Sequence, residues 1–153
     1  MKRTKLSSKV LYVAVALALG GCAGMGGEGS QQLSLTGAEE VPAVNTSATG
    51  RGQLTVNADR SVSGSFTTQG SNMTAAHIHE GATGQNGPVI IPLQKKGDNE
   101  WVVPEGAKLT ESQYEAYKAG RLYVNFHSAQ HKGGEIRAQI KAPGGSARSG
   151  GSY

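Results

Sequence analysis

"RLYVNFHS", residues 121–128, divides cleanly when it is read two residues at a time. Leu122, Val124 and Phe126 fall on one side, and Tyr123, Asn125 and His127 on the other. Side chains alternate across a β-strand, so this period of two is what a strand with one apolar face requires. Two other stretches divide the same way. "TAAHIHEG" (74–81) sets Ala76 and Ile78 against His77 and His79, and "EIRAQI" (135–140) sets Ile136, Ala138 and Ile140 against Glu135, Arg137 and Gln139. With the apolar faces packed inward, Asn125 and the histidines are expected outside the sheet, off the core, where replacing them costs little.

Outward from these stretches the pattern persists. "QLSLTG" (32–37), "GQLTVNA" (52–58), "SVSGSFTTQ" (61–69), "PVIIPLQ" (88–94) and "EWVVP" (100–104) are strand-length and bounded by Gly, Asn, Asp or Pro. Asp59-Arg60 is placed to turn a hairpin. Strands recurring roughly every ten residues predict an all-β antiparallel sandwich or barrel. "LTESQYEAYKAG" (109–120) is the exception. Thr110 followed three residues later by Gln113 forms a capping box, and Gly120 supplies a stop, which predicts one short helix. Tyr114 and Tyr117 share a face of it and are expected to cover a sheet edge.

The ends of the chain read differently. "MKRTKLSSK" carries four positive charges and no acid, and a short apolar run then ends in "LGGC" at Leu19–Cys22. That predicts a signal peptide over residues 1–21, too short to span a bilayer as a permanent helix. "LGGC" resembles a bacterial lipobox, which implies that Cys22 carries lipid. Ala23 after the cysteine implies sorting to the outer membrane, facing the periplasm. Gly-rich residues 22–31 are expected to form a flexible tether, residues 32–142 one domain, and residues 143–153 a disordered Gly/Ser tail.

Charge follows from this division. The full chain has 15 basic and 11 acidic residues, but Lys2, Arg3, Lys5 and Lys9 all lie in the leader, which leaves eleven of each. No basic stripe remains to recruit nucleic acid. Cys22 is the one cysteine, so the domain contains no disulfide and must be held by its core.

Four histidines occur in the chain: His77, His79, His127 and His131. An H-x-H pair on one strand presents two imidazoles on one face, and His127 on an outward face of a neighbouring strand adds a third. His131, in the adjoining hairpin, is a candidate fourth. Imidazole is a common ligand for transition metals, and divalent affinity for nitrogen peaks at copper, with zinc as the alternative. Glu39 and Glu40 read as a solvated turn, and Met73 and Trp101 as core. "GATGQNGP" lacks the lysine of a phosphate loop.

"AAHIHEGATGQNGPVIIPL", "GRLYVNFHSAQHKGGEIRAQI" and the opening "LTGAEEVPAVNTSATGRGQLTV" resemble the CHRD domain, named after chordin and common in exported bacterial proteins. The resemblance covers about residues 32–141 and implies an immunoglobulin-like Greek-key β-sandwich, in a family whose members mostly lack an assigned activity. "HIHEGATGQNG" is also similar in kind to copper,zinc superoxide dismutases, which carry an H-x-H pair before a Gly-rich loop. That likeness implies copper at His77 and His79, with His127 a later ligand and Arg137 standing for a substrate-guiding arginine. The dismutase disulfide and zinc cluster have no counterpart here. Three functions stay open: a lipid-anchored copper-binding protein in copper handling or redox defence, a metal-free envelope adhesion or assembly module contacting protein partners, and a dismutase.

Overall fold

The alternating segments become nine strands in a computed structural model, which describes residues 29–142. They are β1 (Ser30–Thr36), β2 (Thr49–Val56), β3 (Val62–Gln69), β4 (Met73–Glu80), β5 (Val89–Pro92), β6 (Gln94–Lys95), β7 (Glu100–Val102), β8 (Leu122–Ser128) and β9 (Ile136–Ile140). The leader, Cys22, the tether up to residue 28 and the Gly/Ser stretch 143–153 lie outside the described residues. Among the described residues no helix is long and apolar enough to cross a membrane.

Every strand pairing is antiparallel, in the order β5-β4-β8-β9-β1-β2-β3-β7-β6. The sheet narrows in the middle, where β9 and β1 meet at a single register pair, Thr36 with Arg137. Its two edges are bridged by one continuous stretch: β5 pairs with β4, and β6, two residues later, pairs with β7. Between them the Leu93 N–H donates to the Ala76 carbonyl at 2.9 Å. The two halves therefore fold onto each other around one core. Phe126 on β8 meets Phe66 on β3 and Trp101 on β7 edge-to-face, with ring centroids 5.8 and 5.7 Å apart. The all-β two-layer fold with one helix stands as expected.

The inward faces are those the alternation selects. Leu122, Val124, Phe126, Ala76, Ile78, Ile136 and Ile140 are all in the core, and so are Met73 and Trp101. The helix α1 (Glu111–Lys118) starts as expected. The Gln113 N–H donates to Thr110 Oγ1 at 3.2 Å, and the Thr110 N–H donates to Gln113 Oε1 at 2.9 Å. It stops at Gly120, whose φ of 68° lies in the left-handed region. Tyr117 and Ala116 bury the inner face of the helix.

The opposite faces of β4, β8 and β9 depart from expectation, because they are not open to solvent. Asn125 is 2 % exposed, Arg137 1 % and Tyr123 1 %. Two connections return across this side of the sheet and roof it. The loop 81–88 is tied down by Gln139, whose amide donates to the Gly81 carbonyl at 2.9 Å, and by Arg137. Segment 37–48 is tied down where Thr46 donates to Glu135 Oε1 at 2.7 Å. The Asn86 amide joins the two coverings by donating to the Val41 carbonyl at 2.7 Å. Glu40 is thereby enclosed at 6 % exposure rather than lying in a solvated turn, while Glu39 stays exposed.

Candidate metal centre

Period-two alternation on β4 stands His77 and His79 on one face, with ring centroids 5.5 Å apart. Antiparallel pairing sets β8 beside β4, with Asn125 opposite His77 and Tyr123 opposite His79. His127 lies one step along on the same face, where its Nε2 comes within 3.1 Å of His77 Nδ1. The three residues each offer one nitrogen, and these atoms all lie within 4.8 Å of one another. His77 and His127 are half-buried, and His79 is buried at 8 % exposure. They line the rim of the roofed face rather than a bare outer surface.

Backbone carbonyls orient two of the rings. His79 Nδ1 lies 3.0 Å from the Gly87 carbonyl, and His127 Nδ1 lies 3.0 Å from the Lys132 carbonyl. A carbonyl only accepts, so in the neutral rings both Nδ1 atoms carry the proton and both Nε2 atoms present lone pairs. His79 Nε2 is buried and has no hydrogen-bond partner. His127 Nε2 accepts from His77 Nδ1. Carbonyls holding the far nitrogens of imidazoles that converge on one point are the outer shell that metal-bound histidines possess.

Electrostatics prepare the same state. Burial lowers the pKa of all three histidines from the ordinary value, and the neighbouring His127 and His79 push His77 further down. The Gly87 bond pushes back at His79 without reversing the direction. The rings are therefore neutral at pH 7, as metal ligation requires.

His131 does not join the cluster. Its N–H donates to Ser128 Oγ at 3.2 Å and its carbonyl accepts from Gly134 N–H at 3.1 Å, so it shapes the β8–β9 turn. Arg137 does not lie at the surface. Its buried guanidinium sits 3.5 Å from the Tyr123 ring centroid and donates to the Ala82 and Gln85 carbonyls at 3.3 and 2.9 Å. Beside it, burial raises Glu40 to about 7, against the opposing effects of the Arg137 charge, the Val41 backbone bond and the Asn125 amide. Neither the enclosed Glu40 nor the Gly87 carbonyl was legible in the sequence, because loops rather than strand alternation bring them to the site.

Residues 31–140 match the family model described as the CHRD domain, so the chain belongs to the CHRD-domain family. No curated protein and no solved structure matches it.

Proposed function

We propose that this CHRD-domain protein binds a transition metal, copper in the first place, through His77, His79 and His127, and serves copper handling or redox defence from a lipid-anchored position in the bacterial envelope. One observation carries the reading: three imidazole nitrogens within 4.8 Å of one another, one of them a buried His79 Nε2 with no partner. A buried polar nitrogen without a partner costs about 1–3 kcal/mol, which a bound ion would relieve. Two imidazoles on one metal, each at about 2.0–2.1 Å, stand roughly 3 Å apart. His77 Nδ1 and His127 Nε2 stand 3.1 Å apart, so an ion bound between them would replace the proton they share, with His77 keeping its own proton on Nε2 instead.

Copper is favoured over zinc because nitrogen affinity peaks there in the divalent series. Three ligands leave a position open, which suits either metal transfer or chemistry on a small molecule. The anchor and the envelope location rest on the basic leader, the short apolar run that follows it and the "LGGC" ending at Cys22. Calorimetric titration of the purified protein with Cu²⁺ and Zn²⁺ tests the reading. Copper is expected to bind more tightly than zinc, with affinity reduced sharply in His77→Ala and in His127→Ala. Equal affinities in all three proteins, or no binding tighter than ~10 µM, would leave the metal-free adhesion module. Superoxide turnover by the copper-loaded protein separates a dismutase from a carrier.

A further inference from the structure

We infer that Arg137 and Tyr123 form a positioning pair for His79, holding loop 81–88 so that Gly87 keeps the His79 proton on Nδ1 and its Nε2 lone pair free. The inference rests on the metal-site reading only for the second of its two readouts.

The chain of contacts is continuous. His79 on β4 lies nearly parallel to the Tyr123 ring, with centroids 4.8 Å apart and 9° between the planes. Arg137 on β9 packs its guanidinium against the same ring, 3.5 Å from the centroid. β8 runs between β4 and β9, so Tyr123 stands between the histidine and the arginine. The guanidinium spends most of its donors on the loop: Nη2 on the carbonyls of Ala82 and Gln85, and Nη1 on Asn86 Oδ1 at 3.2 Å. Nη2 also donates to Gln139 Oε1 on its own strand at 3.2 Å. The Tyr123 hydroxyl accepts the Gly87 N–H at 3.0 Å. The carbonyl of that same Gly87 accepts the hydrogen bond from His79 Nδ1–H. Residue 87 is glycine for a steric reason, since a Cβ there would run into the Glu80 carbonyl.

A buried arginine is costly unless something compensates it. Arg137 makes no salt bridge among the described residues. It is satisfied instead by two carbonyls and a side-chain oxygen of one loop, by Gln139 Oε1 and by an aromatic face. Its planar fork suits this task, and a lysine cannot reproduce it. What the fork holds in place is the loop that ends at the His79 partner. A merely structural arginine would stabilise the fold without controlling which His79 nitrogen carries the proton.

The test uses Tyr123→Phe, which keeps the stacked ring and removes only the hydroxyl, and Arg137→Lys, which keeps the charge and removes the fork. Nitrogen-15 NMR of the metal-free protein reads the His79 tautomer, and backbone amide spectra verify the fold. Wild type is expected to hold the Nδ1–H tautomer, with the variants moving population toward Nε2–H. Copper affinity is expected to fall about 10- to 100-fold in the variants, the range for lost outer-shell partners. Folded variants that keep the wild-type tautomer overturn the inference, whatever their copper affinity. If wild type binds no copper, the metal-site reading fails, and the tautomer populations alone decide the positioning role.

Discussion

Asn125 stands opposite Val124 and Phe126 in the strand alternation, yet it is as buried as they are. Its amide donates to Glu40 Oε2 at 3.3 Å. Asn125→Ala strips that donor from an enclosed carboxyl and should cost about 1–3 kcal/mol in urea unfolding. A cost near zero would mean that the face is solvated after all. Glu40 itself makes stability depend on pH. Its carboxyl is raised from 4.5 to about 7, so the native state holds a proton that the unfolded chain has released. The stability from this neutral carboxyl is complete below about pH 4.5 and is lost as pH rises through about 7. The metal-free histidines act in the opposite sense. Their folded values lie below 6.5, so their contribution is complete above that pH and is lost as pH falls beneath it. Glu40→Gln separates the two effects. The stability of wild type relative to the variant should decline between pH 4.5 and 7.5, and a flat difference would show that Glu40 ionises freely in the fold.

Elements owe their limits to local chemistry. α1 has eight residues, too few for a helix to be stable alone, so its cap and its packing decide whether it forms. Thr110→Ala removes one half of a reciprocal cap and should cost about 1 kcal/mol, within the ~0.5–2 kcal/mol range for such caps. Thr110→Ser should recover most of it, and thermal melts of the three proteins measure both effects. If the alanine variant melts with wild type, Tyr117 and Ala116 packing alone holds the helix. Strands β5 and β6 illustrate the other kind of limit. The stretch "PVIIPLQ" reads as one strand, but Pro92 has no N–H to donate, and one residue on, past the Leu93 bond to Ala76, the chain leaves β4 to join β7. The sheet closes at that point, which leaves β4 and β7 fewer bare edges to pair with another chain.

The whole molecule is held where its halves meet. Phe126 touches rings from both β3 and β7, so its loss opens a cavity that neither half can fill alone. Phe126→Ala should cost about 3–5 kcal/mol, read from the urea midpoint. A loss below about 1 kcal/mol would mean that the two halves do not share a core. At this scale the division between what is local and what is not becomes visible. The strand faces, the Thr110–Gln113 cap, the Gly120 stop and the pairing of His77 with His79 are properties of residues a few positions apart, and the sequence by itself determined them. The meeting of those histidines with His127 followed from the same alternation once two strands were neighbours. The roof over the polar face did not, and with it the burial of Glu40, Asn125 and Arg137 and the Gly87 carbonyl that orients His79. Those depend on where loops 81–88 and 37–48 come to rest, which is set by hydrogen bonds between residues 40 to 90 positions apart that no local pattern encodes. Only the tertiary structure decided them, because a loop has no period to read and takes its conformation from the surface on which it lands.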